Sequence, residues 1–305
     1  MNDTVNKMER ILFIMNPKSG TMQAERYLTD ILQLYSDAGI RTTVLMTHQS
    51  GDAREFAIRY AHEADAVVVS GGDGTLNEVI DGILTAEVSI PIGYIPSGST
   101  NDFAASVGLP KGIMDAAEVV LNGTPKTFDI GSFNGRYFSY VASFGAFTST
   151  SYSVPQNLKN IMGHTAYILK GIQDLVNIKK IHAKITTDAG TLNEEVHEGE
   201  FIFGAMCNST SVGGMLKLDN FDVDMNDGMM EVLLIEAPNS FLDLNEMVRA
   251  LLAGTLDAPN ISFFSAREIQ VEIEPDTHWT LDGEYEEGAD SIQIHTLRSA
   301  VSLIV

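Results

Sequence analysis

Strand-like apolar runs alternate with helix-like segments in the chain up to Thr124. The runs cover residues 10–16, 41–47, 65–71 and 90–96, and each is followed by a segment with helical apolar spacing. Strands and helices that alternate in this way form a parallel sheet with helices on both faces. The sequence therefore predicts an α/β domain in this part of the chain.

Beyond Thr124 the pattern becomes rich in strands. Asn134-Gly135 separates two β-rich runs, which is a strong signal for a hairpin. Residues 156–177 and 241–254 have helical apolar spacing, and Ser240 is a suitable N-cap for the second of these helices. The remaining runs favour strands, so we expect a second domain that resembles a β-sandwich.

The change of pattern gives the expected domain boundaries. Residues 1–128 form the α/β domain and residues 129–290 form the β-sandwich domain. Residues 291–305 form a final strand, and the sequence leaves open whether it returns to the first domain.

Composition limits the function classes. Among 305 residues, 41 Asp and Glu face 19 Lys and Arg, so the formal net charge is −22. Such a chain should repel nucleic acid, and no nucleic-acid partner is expected. The single cysteine, Cys207, excludes an internal disulfide framework. No apolar run approaches the ~20 residues that span a bilayer. We therefore expect a cytoplasmic protein without a transmembrane segment.

Glycine-bearing loops follow three of the predicted strands. They are NPKSG (residues 16–20), GGDGT (residues 71–75) and PSGSTND (residues 96–102), named here the first, second and third loops. Ligands bind beyond the carboxyl ends of the strands in open α/β sheets, and glycine lets backbone approach a bulky anion. The three loops together suit a polyphosphate, although each alone is typical of a simple turn.

Asp73 lies inside the second loop, where a carboxylate would repel phosphate. Mg²⁺ between the two would explain it, because Mg²⁺ binds carboxylate and phosphate oxygens together. The alternative is an Asx turn that stabilises its own loop.

Two acids, Asp282 and Glu284, lie two residues apart in the sequence HWTLDGE. If the segment is extended, both carboxylates face the same way, and like charges so close should raise one pKa toward that of a general base. The alternative is a solvated acidic hairpin tip, because Asp-Gly is a common turn.

These motifs, together with FDIG (residues 128–131) and LDGE (residues 281–284), occur in an order and spacing that resemble the diacylglycerol kinase catalytic domain family. The resemblance covers nearly the whole chain. GGDGT is shared with NAD kinases, whereas GSTNDFA and the distal DGE point to lipid kinases. The family implies an ATP-binding α/β domain, a β-sandwich domain and an active-site cleft between them.

The resemblance also implies roles for residues. The nucleotide-binding set is Asn16, Pro17, Lys18, Ser19, Gly20, Thr47, Gly71, Gly72, Asp73, Gly74, Thr75, Asn77, Ser99, Thr100, Asn101 and Asp102. The catalytic set is Glu284 as general base, Asp282 beside it, and Asp73 for the nucleotide's Mg²⁺. A structural Mg²⁺ maps onto Asp224, Asp227 and the Met229 carbonyl, with Asp129 in a water and metal network.

Basic residues concentrate between residues 132 and 187, where six lysines or arginines accompany one acid. A cationic stretch with the amphipathic helix 156–177 could dock on an anionic bilayer, although a core helix with solvated lysines explains it equally well. The leading hypothesis is an ATP- and Mg²⁺-dependent kinase of a lipid hydroxyl, most simply diacylglycerol, at the inner face of the membrane. An NAD kinase-like enzyme and a nucleotide-binding regulatory protein are the alternatives, and a homodimer is left open.

Overall fold

The computed structural model describes residues 8–20, 24–146, 179–209, 211–212, 216–217, 223–253 and 255–305. The chain divides into two compact units. Unit 1 is Met1–Phe128 with Ser299–Val305, and unit 2 is Asp129–Arg298. The predicted helix over residues 156–177 lies outside the described residues.

Regular elements of the first 124 residues alternate between strand and helix. The strands are β1 (Arg10–Met15), β2 (Arg41–Met46), β3 (Ala66–Gly71) and β4 (Pro91–Pro96). The helices are α1 (Leu28–Asp37), α2 (Asp52–Tyr60), α3 (Asp73–Thr85), α4 (Asp102–Ser106) and α5 (Ile113–Asn122), with 3-10 turns at Ala24–Tyr27 and Ala61–Glu63.

The rest of the chain is mainly strand. The strands are β5 (Pro125–Phe133), β6 (Arg136–Phe138), β7 (Val141–Gly145), β8 (Ile181–Thr187), β9 (Glu195–Cys207), β10 (Ser211–Val212), β11 (Leu216–Lys217), β12 (Met230–Glu236), β13 (Ile261–Ala266), β14 (Glu268–Ile273), β15 (Trp279–Leu281), β16 (Glu284–Glu286) and β17 (Ser291–Ile304). The described helix in this part is α6 (Phe241–Ala253).

Unit 1 contains a parallel sheet in the order β2-β1-β3-β4, and the end of β17 joins it beside β4. Every residue of β3 is buried, as expected for a strand covered by helices on both faces. The core contains Phe13, Val68 and Ile95, which are almost fully buried. This arrangement confirms the predicted α/β class.

Unit 2 is built from antiparallel strands in the order β16-β15-β7-β9-β8-β14-β17, while β12 pairs with β9 and β13. Its core surrounds the sole tryptophan, Trp279, whose ring centroid lies 5.0 Å from that of Phe133 and 4.8 Å from that of Phe144. The predicted β-sandwich class is confirmed.

Two local predictions in unit 2 are confirmed. Asn134 and Gly135 have φ of 48° and 90° and connect β5 to β6, the geometry of a type I′ hairpin turn. The Asp243 amide donates a hydrogen bond of 3.1 Å to Ser240 Oγ, so Ser240 caps α6.

The last strand passes from one unit to the other. Its first part pairs with β14, whereas Ser302 and Leu303 lie beside β4. Ser299 has a positive φ of 51° where the chain enters unit 1. The sequence-based division began this last segment at residue 291, eight residues before the change of unit.

In the described part of the chain, no helix is both long enough and apolar enough to cross a bilayer.

Candidate active site

The first, second and third loops leave the carboxyl ends of three neighbouring strands. The Asn16 amide donates to the Ser70 carbonyl at 2.8 Å, and the Ser97 amide donates to the Gly71 carbonyl at 2.8 Å. Because the ladder continues past the ends of β1, β3 and β4, the three loops start side by side. The structure therefore brings together the loops that the sequence places at corresponding strand ends.

Glycine backbone forms the contacts between these loops. A Cβ on Gly20, where φ is 53°, would lie 2.4 Å from the Ser97 carbonyl oxygen. A Cβ on Gly98 would lie 2.5 Å from the Gly72 Cα. Side chains cannot occupy these positions, so loop packing alone requires the glycines.

Asn16 joins the first loop to the second. Its Nδ2 donates to Thr75 Oγ1 at 3.2 Å, while its Oδ1 accepts from the Lys18 amide at 3.0 Å. The Lys18 ammonium donates to the His48 carbonyl at 3.3 Å, next to the buried Thr47. The lone cation of the three loops is thus held beside the segment that follows β2.

Asp73 joins the second loop to the third. Its carboxylate accepts hydrogen bonds from the Asp102 amide at 3.0 Å, the Phe103 amide at 3.2 Å and Thr100 Oγ1 at 3.3 Å. Burial raises the pKa of Asp73, while the bonds from the Asp102 and Phe103 amides oppose that shift. The carboxylate therefore bonds to a different loop rather than closing an Asx turn in its own, and its role toward Mg²⁺ stays a prediction.

Tyr94 was missed by sequence reasoning, although a tyrosine inside an apolar strand signals a buried hydroxyl that needs a partner. Its hydroxyl lies 3.4 Å from both the Gly71 carbonyl and Asn101 Oδ1. Asn101, with φ of 53°, closes the third loop because its amide group exchanges two hydrogen bonds with the Gly98 backbone at 2.9 and 3.0 Å. Burial raises the pKa of Tyr94 well above its usual value.

Two hydroxyls at this edge of the sheet lack a hydrogen-bond partner in the described part of the chain. They are Ser70 Oγ at the end of β3 and Ser97 Oγ just after β4, and both atoms are buried. The other residues predicted to bind the nucleotide differ in exposure. Ser19 and Asn77 are buried, Pro17 and Gly74 are partly buried, and Ser99 and Thr100 are exposed.

Unit 2 carries the predicted acid pair, and the expected side-by-side arrangement is wrong. Asp282 and Gly283 have φ of 51° and 84° and form the two-residue turn between β15 and β16. The segment is therefore not extended at this point. Asp282 is 6% exposed, whereas the side chain of Glu284 is 47% exposed.

The Asp282 carboxylate is bonded to three consecutive backbone amides. It accepts from Ser139 at 2.6 Å, Tyr140 at 3.0 Å and Val141 at 3.0 Å. Burial raises the pKa of Asp282 to about 6, and the backbone bonds counteract that effect. Desolvation is therefore the largest cause of the raised pKa of Asp282. Asp282 holds the Ser139–Val141 backbone to the turn that presents Glu284.

Glu284 contacts a basic residue that sequence reasoning also missed. Arg136 Nη2 lies 3.3 Å from Glu284 Oε2, and Nη1 of the same guanidinium contacts Glu286. Arg136 begins β6, directly after the Asn134-Gly135 turn, and no local signal in the sequence links it to residues almost 150 positions later.

The predicted structural metal ligands lie around the turn before β12. Asp129 is fully buried, and its Oδ2 accepts from the Gly228 amide at 2.6 Å. Asp224 Oδ1 accepts from the Asn226 amide at 3.0 Å, and Asp227 Oδ1 accepts from the Met229 amide at 2.8 Å. Among the described residues no group of three or more His, Cys, Asp and Glu forms a metal site, so this set depends on the Met229 carbonyl and stays a prediction.

Glu231, the second residue of β12, adds a fourth carboxylate to this region. It is 3% exposed, and its Oε2 lacks a hydrogen-bond partner in the part of the chain that is described. Burial, together with the charges of Asp227 and Asp224, raises the pKa of Glu231 to about 7. A buried carboxylate close to two others is a suitable environment for a cation, because a positive charge offsets their repulsion.

The glycine contacts between loops predict a steric penalty. Gly98→Ala should lower the thermal unfolding midpoint by about 5 °C, because overpacking costs about 1–3 kcal/mol and a domain of this size shifts about 2–4 °C per kcal/mol. Gly199→Ala is the matched control, since a Cβ at Gly199 meets nothing within 4 Å. Circular dichroism measures both midpoints, and equal midpoints for the two variants would contradict the loop packing.

The raised pKa of Asp282 predicts that the free energy of unfolding of unit 2 depends on pH. Its folded pKa of about 6 lies above the ordinary aspartate value of 3.8, so the protonated group stabilises unit 2 below about pH 4. That contribution, at most ~3 kcal/mol, declines as pH rises toward 6 and is absent above it. Urea unfolding followed by Trp279 fluorescence should show the free-energy difference between wild type and Asp282→Asn falling from pH 4 to pH 6. A difference that stays constant over this range would contradict the buried carboxyl.

Comparisons with known proteins agree with this description. Residues 10–133 match the family model described as the diacylglycerol kinase catalytic domain. Residues 142–305 match the model described as the YegS C-terminal NAD kinase beta sandwich-like domain.

Similar proteins cover nearly the whole chain. A diacylglycerol kinase of Bacillus subtilis (strain 168) is 34% identical over 280 residues, which are 91% of this chain and 90% of that protein. A diacylglycerol kinase of Staphylococcus saprophyticus subsp. saprophyticus is 34% identical over 279 residues, 91% of this chain and 89% of its own. A crystal structure from Bacillus anthracis str. Sterne, assigned to the diacylglycerol kinases, has a TM-score of 0.81 at 25% identity and covers 100% of this chain and 97% of its own. The chain therefore belongs to the diacylglycerol kinase catalytic domain family of lipid kinases.

Proposed function

We propose that this chain transfers the γ-phosphoryl group of ATP to a lipid hydroxyl, with diacylglycerol as the acceptor and phosphatidic acid as the product. The observation that carries the proposal is the convergence of three glycine loops at the carboxyl ends of β1, β3 and β4 in a chain of this family. Acceptor identity rests on the names of the relatives, since apolar pockets discriminate poorly between similar lipids.

The residues of unit 1 fit a polyphosphate. The three loops offer backbone amides, the hydroxyls of Ser99 and Thr100, and the ammonium of Lys18. The unpartnered hydroxyls of Ser70 and Ser97 mark an edge of the sheet where further hydrogen bonds can form. When bound, ATP with Mg²⁺ supplies the phosphoryl group and the neutralising charge. The proposed nucleotide-binding residues are those of the three loops, together with Thr47 and Asn77.

Asp73 acts on the nucleotide's Mg²⁺ through water in this proposal. Its Oδ2 accepts hydrogen bonds from Thr100 and Asp102 of the third loop, and its Oδ1 accepts one from the Phe103 amide in α4, which limits direct ligation. Mg²⁺ usually keeps several waters in protein sites, so an indirect role suits it. A second, structural Mg²⁺ is assigned to Asp224, Asp227 and the Met229 carbonyl, supported by the unpartnered carboxylate oxygen of Glu231 nearby.

Glu284 serves as the general base. The acceptor oxygen attacks the γ-phosphorus, the bond between that phosphorus and the β–γ bridging oxygen breaks, ADP departs, and Glu284 takes the hydroxyl proton. Asp282 does not touch the acceptor in this scheme, because its carboxylate is buried against the amides of Ser139 to Val141. It holds the turn from which Glu284 extends.

An NAD kinase-like activity is the alternative that a specific observation favours. The second half of the chain matches a model whose description names an NAD kinase beta sandwich-like domain. The two activities use the same donor and differ in the acceptor, so one assay with several acceptors separates them.

A parallel acceptor assay tests the proposal. Wild type with Mg²⁺ and labelled ATP should phosphorylate dioctanoylglycerol in mixed micelles and leave NAD, phosphatidylglycerol, undecaprenol and sphingosine unlabelled. Glu284→Gln should lower kcat by about 100-fold or more, because a general base contributes about 10²–10⁴-fold. Glu287→Gln, an exposed acid three residues away, is the matched control and should keep wild-type kcat.

Two results would overturn parts of this scheme. Transfer to NAD alone would replace the lipid kinase with the NAD kinase-like alternative. Absence of transfer to every acceptor, with ATP still bound, would favour a nucleotide-binding regulatory protein.

The lipid acceptor implies peripheral contact with a bilayer, which we place at the inner, cytoplasmic face of the membrane. Three of the basic residues between positions 132 and 187 form ion pairs with acids. Arg136 pairs with Glu284 at 3.3 Å. Lys179 pairs with Glu274 at 3.3 Å, and Lys184 pairs with Glu272 at 3.2 Å. Lys180 is exposed and forms no ion pair with any described residue. Lys180 is therefore the described cation of this stretch that is best placed to meet anionic lipid.

Vesicle flotation tests the peripheral contact. Binding should rise with the fraction of anionic lipid, and Lys180→Gln should weaken it by about five-fold, since one basic residue near the surface contributes about 1 kcal/mol. Lys111→Gln removes the same charge from an exposed position outside the stretch and serves as the control. Vesicle binding that does not depend on the fraction of anionic lipid would contradict the role of Lys180. An equal loss of binding in Lys180→Gln and Lys111→Gln would also contradict it.

A further inference from the structure

One guanidinium in unit 2 is shared by two carboxylates of the same strand. Arg136 Nη2 lies 3.3 Å from Glu284 Oε2, and Arg136 Nη1 contacts Glu286 Oε2. Glu284 and Glu286 are two residues apart on β16, so their side chains leave the same face of the strand. The like-charged pair on this face is therefore Glu284 with Glu286, and Arg136 is the positive charge that both contact.

The backbone fixes both ends of this contact. Arg136 directly follows the type I′ turn at Asn134-Gly135 and lies opposite Phe133 in the β5–β6 ladder. Glu284 directly follows the turn at Asp282-Gly283, which three backbone amides hold in place. Two short, well-defined hairpins thus set the distance between the guanidinium and the two carboxylates.

Arginine suits this place better than lysine. Its planar fork presents separate N–H groups to two acceptors at once, whereas a lysine ammonium is a single point charge on a flexible stem. Two unbalanced carboxylates on one strand face would repel each other, and repulsion favours the protonated form of one of them. A protonated Glu284 could not accept the hydroxyl proton.

We propose that Arg136 is a positioning residue for Glu284, which keeps the Glu284 carboxylate ionised and oriented by sharing its guanidinium between Glu284 and Glu286. The inference rests on the proposed function, in which Glu284 is the general base. Arg136 touches neither donor nor acceptor in this scheme and acts through Glu284.

The contact contributes little to folding, so its removal can be tested in folded protein. The side chains of Arg136 and Glu284 are 40% and 47% exposed, and ion pairs with this exposure are worth about 0–1 kcal/mol. Lys184 offers a matched control, because it is 38% exposed and pairs with Glu272 at 3.2 Å in the same unit.

Other titratable groups lie around Glu284 in the described residues. They are Glu286 and Tyr285 on the same strand, Asp282 in the turn, Arg136 on β6, His278 with its ring against Tyr285, and Tyr140, whose hydroxyl is 4.0 Å from the position of a Cβ on Gly283. Of these groups, Arg136 alone carries a permanent positive charge, so its loss should change the ionisation of Glu284 most.

Steady-state kinetics provide the first test. With MgATP and dioctanoylglycerol, Arg136→Gln should lower kcat by about 10- to 100-fold with little change in KM, because a small misplacement of a catalytic group can cost about 100-fold. Arg136→Lys should recover part of this loss, and Lys184→Gln should match wild type. Thermal midpoints of all variants should stay close to that of wild type.

Titration provides the second test and needs no turnover. With ¹³C-labelled glutamate, NMR follows the Glu284 carboxyl as pH changes. Its midpoint should rise by about half a pH unit or more in Arg136→Gln and return toward the wild-type value in Arg136→Gln/Glu286→Gln, because the second change removes the like charge. The acid limb of kcat/KM against pH should move in the same direction.

The outcomes separate this inference from the proposed function. If Glu284→Gln abolishes transfer but Arg136→Gln keeps wild-type kcat and the same carboxyl midpoint, Arg136 does not position Glu284 and the inference is wrong. If Glu284→Gln is fully active, the general base assignment fails, and the inferred role of Arg136 in transfer fails with it. If no acceptor is phosphorylated, the titration still decides. A Glu284 carboxyl midpoint that is the same in Arg136→Gln and wild type overturns the inference that Arg136 keeps Glu284 ionised, and the expected rise supports that inference.

Discussion

Backbone contact between the three glycine loops is the constraint on which this edge of the unit 1 sheet depends. Adjacent parallel strands lie about 4.8 Å apart, so loops that leave neighbouring strand ends crowd one another. Here Gly98 meets the Cα of Gly72, and Gly20 meets the Ser97 carbonyl, at distances that no Cβ tolerates. The crowding gathers the amides and hydroxyls of three loops into one small region. The glycines therefore serve the packing of the loops first, and the polyphosphate site proposed above would follow from that packing.

Carboxylates that bind backbone amides hold much of the remaining local structure. Asp73 binds the amides at the start of α4, Glu78 binds those of Gly51 and Ala53 at the start of α2, and Asp282 binds three amides that lead into β7. Hydrogen bonds to a charged group contribute about 1.5–3 kcal/mol each. Part of the large acidic excess is thus used inside the fold. An acid in a glycine loop is consequently weak evidence for metal binding until its hydrogen bonds are known.

Sequence reasoning succeeded where the signal was local. The alternation of strands and helices, the Asn134-Gly135 hairpin and the Ser240 cap depend on a few neighbouring residues, and all are confirmed. The Asp282-Gly283 turn carries the same kind of signal, and the structure has this turn instead of the extended segment in which both carboxylates would face the same way. The contact between Arg136 and Glu286 joins residues 150 positions apart, and no local pattern reveals it.

The basic stretch between residues 132 and 187 shows why charge counted along a chain differs from charge in space. Antiparallel pairing places distant segments side by side, and opposite charges on facing strands then pair. Lys184 on β8 lies beside Glu272 on β14, and Lys179 lies beside Glu274. Two lysines of an apparently cationic segment are thus paired with acids that lie 88 and 95 positions later in the chain. Attraction to an anionic surface has to come from cations without such partners, and Arg136, which contributes to the same excess, is instead engaged with the carboxylates of β16.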